Sequence, residues 1–293
     1  MKKVLVIGSI SIDNVVYTRN LPQPGVTVHG ESFITNLGGK GANQACAIKF
    51  LGGDVIFYGA IGKDEHGEYV QKQLKNAGLT AILKKSELQT GIASLTIDIN
   101  SGENRIVVIK GANVDISKED IDQINFKERD ILLLQLENNI DSTVYAMKKA
   151  KEAGLLVVLN PAPYHEIPND AFQYIDYFIP NEHELEQFTP NIDGGYLERA
   201  KHLVQQGIKH VIVTLGENGS LYVDEEKHIN IDPYKVHAVD TTAAGDSYCG
   251  AFVTALSKGE DVIEAMKFAS KASSITVTRK GAISSLPKLE DLK

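Results

Sequence analysis

The sequence has only two cysteines and no apolar run long enough to cross a membrane. Cys46 and Cys249 lie far apart, each within an apolar helical pattern, which favours buried free thiols over a disulfide or a metal site. The apolar runs stay well short of the roughly 18 residues that a membrane span needs. The first residues, MKKVLVIG, resemble the start of a signal peptide, but Ser9, Ser11 and Asp13 break the run and indicate a first strand. We therefore expect a cytoplasmic protein that has no membrane partner.

Excess positive charge and the common nucleotide-binding fingerprints are also missing. The formal net charge of −8 argues against a nucleic-acid-binding surface. No GxxxxGK[ST] motif occurs, and no GxGxxG follows the first strand, so neither a P-loop nor a Rossmann dinucleotide site is indicated. There is no internal repeat, low-complexity segment or linker. The 293 residues suffice for one large α/β domain or two ordinary ones.

Short apolar runs alternate with helical patterns over most of the chain. The runs are continuous, as in strands whose two faces are both buried in a parallel sheet; they lie at 4–7, 55–58, 131–136, 155–159, 177–179 and 211–215. Helical patterns lie between them at 42–51, 67–76, 142–153 and 197–206. This order predicts an α/β fold with a doubly wound, mostly parallel sheet flanked by helices.

Two segments depart from this pattern. Residues 14–37 contain alternating stretches, Pro22, Pro24 and Gly25, and no helical pattern. Residues 90–110 read as two alternating stretches around a turn at 100–102, which is typical of a hairpin. Together they predict a small β-sheet that projects from a core formed by residues 1–13, 38–89 and 111–293. The hairpin could be an ordinary sheet edge or part of a lid over an active site.

The most informative stretch is VDTTAAGDSYCG at 239–250, a loop of small residues that runs into a helical pattern. Ala243, Ala244 and Gly245 would leave the first N–H groups of that helix open, and an open helix N-terminus binds phosphates. A carboxylate repels a phosphate, so its presence at such a site needs a functional explanation. Proton abstraction from an attacking hydroxyl is one. Asp246 could also be a simple N-cap.

A glycine-rich run, GGKGANQ, occupies positions 38–44. Glycines such as Gly39 and Gly41 let a ligand approach the backbone closely. Asn43 offers a donor and acceptors to sugar hydroxyls, while Lys40 could attract phosphate or be solvated. Ligands of doubly wound sheets gather beyond the carboxyl ends of the strands. Polar residues follow those ends here: Ser9, Ser11, Asp13, Glu137, Asn160, Asn181, Glu184, Thr214 and Gly216.

These motifs, taken together, resemble the ribokinase branch of the PfkB carbohydrate kinase family from about residue 4 to residue 287. The two signatures of the family match residues 38–43 and 240–246, and further matches lie at 135–137, 160–163, 180–184, 214–219 and 278–282. The resemblance implies a ribokinase-like fold with a small β-sheet lid. It also implies ATP-dependent phosphorylation of D-ribose at O5, or of another sugar or nucleoside.

The resemblance assigns roles to individual positions. Asp246 is the general base for the 5-hydroxyl of the sugar, and the backbone of Ala243, Ala244 and Gly245 forms the anion hole for the γ-phosphate. The sugar is held by Ser11, Asp13, Gly39, Lys40, Gly41, Asn43, Glu137 and Asp246. The nucleotide is held by Asn181, Thr214, Leu215, Gly216, Glu217, Asn218, Gly219, Gly245, Asp246 and Ser270.

Two cations and a dimer are implied in the same way. Asn181 and Glu184 resemble the motif that organises Mg²⁺ through water. An activating monovalent cation, usually K⁺, is held at Asp240, Thr242, Thr276, Arg279, Gly281 and Ser285. The expected partners are ATP, a small sugar and a second copy of the chain, bound through the lid sheets.

Ser11 departs from the pattern, because many ribokinases carry asparagine two residues before the sugar-binding aspartate. Serine is shorter, so a contact with a sugar hydroxyl could be lost or bridged by water, and deoxyribose and other pentoses stay open. A sensor built on a kinase scaffold would have no use for the base at Asp246. A nicotinamide oxidoreductase would fit the α/β pattern but lacks its glycine fingerprint.

Overall fold

The computed structural model describes every residue from Met1 to Lys293. The strands are β1 (Lys3–Ile7), β2 (Ser11–Thr18), β3 (Gly30–Gly38), β4 (Asp54–Gly62), β5 (Thr80–Ser86), β6 (Ile92–Asp98), β7 (Asn104–Ile109), β8 (Ile131–Leu134), β9 (Leu156–Leu159), β10 (Tyr177–Phe178), β11 (His210–Thr214), β12 (Ser220–Val223) and β13 (His228–Ile231). The helices are α1 (Lys40–Phe50), α2 (Glu65–Asn76), α3 (Lys118–Asp122), α4 (Ile140–Glu152), α5 (Glu182–Phe188), α6 (Tyr196–Gln205), α7 (Ala244–Lys258) and α8 (Val262–Thr276). None of the helices has the length and apolar character that crossing a membrane requires.

The larger sheet has the strand order β13-β12-β11-β10-β9-β8-β1-β4-β5. Neighbours from β11 to β5 are parallel, and β12 and β13 are added antiparallel at one edge. The predicted doubly wound, mostly parallel sheet is therefore confirmed. The strand predicted over 131–136 ends at Leu134, which leaves Gln135 and Glu137 free at the carboxyl edge of the sheet.

The continuous apolar runs are buried on both faces of this sheet. In β1, Val4 and Val6 belong to the hydrophobic core on one side, and Leu5 and Ile7 belong to the core on the other. Successive strand residues point to opposite faces, so a run buried on both sides must be apolar throughout. The first core packs against α1, α7 and α8, and the second packs against α4 and α6.

A smaller, four-stranded sheet has the order β3-β2-β6-β7. The predicted hairpin over 90–110 is confirmed, since β6 and β7 pair antiparallel; β2 pairs antiparallel with β3 and parallel with β6. Strand β2 begins at Ser11, a few residues before the boundary expected at residue 14, because the chain leaves the larger sheet after Ile7. Ser11 and Asp13 therefore lie in the small sheet.

The two cysteines lie in the helices that meet at the carboxyl edge of the larger sheet. Cys46 in α1 and Cys249 in α7 are free and buried, as predicted. Burial raises the pKa of Cys46 to about 12. Burial, with the nearby Asp246 carboxylate, also raises the pKa of Cys249 well above its usual range. Both thiols are therefore protonated at neutral pH and serve as packing residues.

Candidate active site

Helix α7 begins without any side-chain cap. Its N-cap, Ala243, has φ 59° and ψ 12° and is the only non-glycine residue with a positive φ. A Cβ added to Gly245 would meet nothing within 4 Å, so the space above the helix start is open. The N–H groups of Gly245 and Asp246 have no acceptor within the chain. A 15-residue helix with uncapped, accessible N–H groups is suited to bind an anion.

Asp246 is the third residue of α7, and its side chain is hydrogen-bonded to two amides of α1. Its Oδ2 accepts from Asn43 Nδ2 and its Oδ1 from Gln44 Nε2, each at 2.9 Å. Neither oxygen accepts from a backbone N–H of the first turn. The interpretation of Asp246 as an N-cap is therefore wrong. Asp246 is 6% exposed and belongs to the same first turn of α7 as the open N–H groups.

Asp13 brings a second carboxylate to the same place from the small sheet. Ser11 Oγ donates to Asp13 Oδ1 at 2.7 Å. A Cβ on Gly38, across the β2–β3 pair, would lie 2.1 Å from Asp13 Oδ2, so glycine is what leaves room for this carboxylate. Burial raises the pKa of Asp13; the Ser11 hydrogen bond opposes this, and the charges of Glu137 and Asp246 add to it.

Glu137 lies beyond the end of β8 and holds the glycine-rich run in place. Its Oε2 accepts from the Ser9 hydroxyl and, at 3.0 Å, from Lys40 N. A Cβ on Gly41 would lie 2.5 Å from Ser9 N, and one on Gly39 would lie 2.7 Å from Ile10 Cα. These two glycines are therefore required first for packing of the loop against the exit from β1, rather than for the approach of a ligand.

Lys40 is the cation among these acids. Burial tends to lower its pKa, but the carboxylates of Asp246, Glu137 and Glu184 outweigh burial, and the pKa is raised. The ammonium is therefore charged at neutral pH. The Lys40 side chain makes no ion pair within the chain. It therefore has its positive charge available beside three carboxylates.

Asn43 has a buried acceptor without a partner. Its Nδ2 donates to Asp246, while its buried Oδ1 has no hydrogen-bond partner. An unsatisfied buried carbonyl costs about 1–3 kcal/mol, and a ligand donor that reached it would remove this cost. Asp13, Asn43, Glu137 and Asp246 together offer the carboxylate and amide groups that a polyhydroxylated ligand needs.

A second group of predicted residues lies farther along the carboxyl edge. Asn181 and Glu184 form a reciprocal capping box at the start of α5, with Asn181 N donating to Glu184 Oε2 and Glu184 N to Asn181 Oδ1. Asn181 also bridges to Thr214 at the end of β11. Burial raises the pKa of Glu184; the Asn181 hydrogen bond and Lys40 oppose this, and Asp246 adds to it. Glu184 Oε1 makes no hydrogen bond within the chain.

The loop after β11 is shaped by two glycines with positive φ. Gly216, with φ 53°, faces open space, whereas Gly219, with φ 85°, packs against the Ile231 carbonyl. Between them the chain makes one turn of 3₁₀-helix, and the predicted members Leu215, Glu217 and Asn218 lie in or beside this turn. Ser270 of α8 faces the Tyr248 hydroxyl, which donates to Ser220 Oγ next to Gly219.

The predicted cation residues lie before α7 and at or after the end of α8, and hydrogen bonds to Asp240 join these two parts of the chain. Its Oδ1 accepts from Thr242 N and its Oδ2 from Gly281 N, each at 2.9 Å. Burial opposes its charged form, but these N–H groups outweigh burial and the pKa of Asp240 is lowered. Thr276 Oγ1 donates to Ser247 Oγ in the first turn of α7. Arg279 pairs with Asp291 and Ser285 Oγ donates to Ala282 O, so only backbone carbonyls of these two residues remain for a cation.

Two glutamines at the site stand in the motifs at 38–44 and 135–137, but neither is assigned a role from the sequence. Gln44 is 0% exposed and Gln135 is 1% exposed, and both belong to a hydrogen-bonded chain that ends at Asp246. The signal that could have revealed Gln44 is its position in α1 among the apolar residues Ala42, Ala45 and Cys46. A long amide in such a pattern must find partners when buried.

The chain is similar to known proteins over nearly its whole length. The family described as "pfkB family carbohydrate kinase" matches residues 1–289. The ribokinase of Staphylococcus aureus (strain COL) is 37% identical over 301 residues, covering 99% of this chain and 98% of that protein. The deoxyribokinase of Salmonella typhi is 35% identical over 295 residues, covering 98% and 96%. The solved structure of Arabidopsis thaliana ribokinase complexed with ribose and ATP has a TM-score of 0.90 at 31% identity, covering 99% of this chain and 97% of that one.

Proposed function

The chain belongs to the pfkB family of carbohydrate kinases, and we propose that it transfers the terminal phosphoryl group of ATP to O5 of D-ribose. Its similarity to ribokinases over the full length makes it a sugar kinase of the ribokinase type. The choice of ribose, the base and the anion-binding groups are our proposal. One observation carries it: Asp246, in the first turn of α7 with its open N–H groups, accepts from Asn43, whose own Oδ1 has no partner.

The proposed reaction is a single displacement at phosphorus. The 5-hydroxyl of the sugar gives its proton to Asp246, and O5 forms a bond to the γ-phosphorus while the bond from that phosphorus to the β,γ-bridging oxygen breaks. The products are D-ribose 5-phosphate and ADP. The open N–H groups at Gly245 and Asp246 would stabilise the negative charge of the transferring group. Positioning and charge stabilisation of this kind supply most of the catalysis in phosphoryl transfer.

Sugar recognition follows from the groups beside Asp246. Asp13 would accept hydrogen bonds from sugar hydroxyls, and Asn43 Oδ1, which has no other partner, would accept from another. Glu137 and the backbone of Gly39 and Gly41 would close the opposite side. We propose that Lys40, charged and without an ion pair, meets the phosphate as it moves toward the sugar.

The nucleotide would lie along the farther part of the carboxyl edge, over Thr214–Gly219 and Ser270. Asn181 and Glu184 fit a magnesium ion held through water, because Glu184 Oε1 has no hydrogen bond within the chain and can accept from a metal-bound water. When bound, Mg²⁺ supplies positive charge to the phosphates. The capping box keeps Glu184 in one orientation whether or not the metal is present.

A monovalent cation fits the loops joined by Asp240. The donors there are one carboxylate and the carbonyls of Thr242, Thr276, Arg279, Gly281 and Ser285, a set of hard oxygens with little total charge, as suits K⁺ better than a divalent ion. When bound, K⁺ supplies positive charge beside the segment that enters the anion hole. Asp240 and Thr242 would hold the loop directly before Ala243, so that Ala243 keeps its left-handed conformation.

The sugar preference can be tested by measuring kcat/KM for ribose, deoxyribose, hexoses and nucleosides with an ADP-release assay. We expect ribose to be the best substrate and deoxyribose to follow closely. The Ser11 hydroxyl donates its hydrogen bond to Asp13. The amide contact that asparagine would offer to the sugar is therefore missing. One neutral hydrogen bond is worth about 0.5–1.5 kcal/mol, or a factor of roughly 2 to 13.

The matching variant is Ser11→Asn, at the position where the serine hydroxyl now donates to Asp13 Oδ1. It should raise kcat/KM for ribose and widen the gap to deoxyribose. Deoxyribose is the second candidate substrate, favoured by Ser11 and by the deoxyribokinase relative. If ribose is inert while deoxyribose or a nucleoside is phosphorylated, the substrate assignment is wrong and phosphoryl transfer stands.

We further propose that the small sheet is a lid and that its apolar side pairs two copies of the chain. Cross-strand partners share a face, and the face that carries Asp13 continues outward through Val15, Ile34, Leu95, Ile106 and Val108. Ile34, Ile106 and Val108 are 40%, 52% and 57% exposed. Exposed apolar side chains on a sheet with an open edge are typical of an interaction surface.

The double substitution Ile106→Glu/Val108→Glu should convert a dimer into monomers and weaken sugar binding by roughly tenfold or more, because it places charge on a buried interface. The matched control is Val107→Glu, which lies between them on the other face and is 66% exposed. Light scattering during gel filtration gives the mass, and calorimetry gives the sugar affinity. A double variant that stays dimeric, or a control that dissociates equally, would rule out this face.

A further inference from the structure

A chain of buried amides runs from the end of β8 to the proposed base. Gln135 Nε2 donates to Gln44 Oε1 at 2.6 Å, and Gln44 Nε2 donates to Asp246 Oδ1 at 2.9 Å. The same Nε2 donates to Asn160 Oδ1 at 3.0 Å, and Asn160 Nδ2 donates to the Ile179 carbonyl. We refer to Gln135 and Gln44 as the amide relay.

The relay allows only one orientation of the Gln44 amide. Both protons of its Nε2 face acceptors, on Asp246 and Asn160, and its Oε1 faces the donor on Gln135. Turning the amide over would place oxygen against two acceptors and nitrogen against a donor. Asn43 differs, because its Oδ1 has no partner and the one hydrogen bond of its side chain runs from Nδ2 to Asp246 Oδ2.

Close packing of the helices and of the first strand makes the relay possible. A Cβ on Gly250 would lie 2.5 Å from the Ala47 Cβ, so α1 and α7 cross where only glycine fits, one turn beyond Gln44 and Asp246. A Cβ on Gly8 would lie 2.2 Å from Gln135 Oε1. Glycine at positions 8 and 250 therefore lets β1, α1 and α7 pack closely around the fully buried side chain of Gln44.

We propose that Gln44, oriented by Gln135, is a positioning residue that fixes Oδ1 of Asp246 and turns Oδ2 toward the hydroxyl to be deprotonated. Gln44 touches neither sugar nor nucleotide in this arrangement; it acts through the carboxylate. The inference rests on the proposed function, because Asp246 must be the base for its orientation to affect turnover. A misplacement of about 1 Å in a catalytic group can cost about 10²-fold in rate.

The test uses Gln44→Met, Gln135→Met and the double variant, since methionine keeps the length of glutamine without its polar atoms. We expect kcat to fall roughly 10- to 100-fold in Gln44→Met and about 3- to 10-fold in Gln135→Met. In both, KM for sugar and ATP should change by less than about threefold, because the groups proposed to touch them remain. The single variants should melt at lower temperature, since each leaves a buried amide without a partner.

The double variant separates positioning from simple stability. The double variant removes the buried Gln135 amide that Gln44→Met leaves without its acceptor, so its melting temperature should lie above that of Gln44→Met. Asp246 and Asn160 still lack the Gln44 donor, so kcat should stay low. Recovery of kcat together with stability, a kcat of Gln44→Met within twofold of wild type, or a loss expressed only in KM would overturn the inference. If Gln44→Met does not fold, the double variant decides between the same outcomes. A wild type that phosphorylates no sugar would instead refute the proposed function, and the inference with it.

Discussion

Replacing Asp246 with asparagine is expected to lower kcat by at least roughly 10²-fold, because the amide cannot accept the proton of the attacking hydroxyl. The open N–H groups at the start of α7 remain in the variant, so ATP should bind as in the wild type. The residual rate would come from positioning and charge stabilisation alone. The measurements are kcat from ADP release and the ATP affinity from calorimetry.

The surroundings of Asp246 indicate that this variant will fold. Both carboxylate oxygens accept from amides in the wild type, so the new amide nitrogen must meet an acceptor. Asn43 can supply one by turning its unpartnered Oδ1 toward it, whereas Gln44 is held by Gln135. Sugar affinity should therefore change by no more than about tenfold, as expected for the rearrangement of one neutral hydrogen bond.

Asp193→Asn is the matched control for this experiment, since Asp193 is exposed and belongs to none of the groups that form the site. It should have wild-type kcat. A variant at Asp246 that turns over at the wild-type rate would show that another group takes the proton, and the proposed mechanism would be wrong.

Replacing Asp13 with alanine is expected to lower kcat/KM for the sugar by about 10²-fold, mostly through KM. A hydrogen bond to a charged group contributes about 1.5–3 kcal/mol, which corresponds to roughly 10- to 150-fold. Turnover at saturating sugar should fall much less, because Asp246 and the anion-binding groups are unchanged. KM for ATP should also stay constant.

Asn14→Ala is the control, because Asn14 follows Asp13 in β2 but points to the opposite face, where Thr35 Oγ1 donates to it. It should leave the sugar KM unchanged.

The pH dependence of the sugar KM is a second test of the role of Asp13. The pKa of Asp13 is raised by burial, so this carboxylate is lost at a higher pH than an ordinary one as the solution becomes acidic. The wild-type sugar KM should rise there, and the Asp13→Ala KM should not rise for that reason; equal profiles would contradict the assignment.

The start of α7 and the layers of the larger sheet could be predicted because they depend on local sequence. Small residues before Asp246 predict an open helix start, and continuous apolar runs predict strands covered on both faces. The partners of Asp246 could not be predicted in this way. Gln44 lies 202 positions away and Gln135 lies 91 positions from Gln44, so their meeting depends on how α1 crosses α7.

Other differences also have physical causes. Gly39 and Gly41 read as a ligand-binding loop, yet their lack of a side chain is already required by the backbone of Ser9 and Ile10. A close approach between two parts of the chain leaves the same sequence signal as a close approach to a ligand. Ser270 lies on α8, which is not among the predicted helical patterns. Its role in holding the nucleotide is implied by the family resemblance alone.

The two buried thiols give the protein an internal reporter of its own opening. Cys46 follows Asn43 by three residues in α1, and Cys249 follows Asp246 by three residues in α7. Because the thiolate is the reactive form and both thiols are buried and protonated, an alkylating reagent can modify them only when these helices separate or unfold. Labelling kinetics therefore record how often the two halves of the site come apart. A sugar or nucleotide that binds only the closed arrangement will slow the labelling in proportion to its occupancy, without any engineered probe.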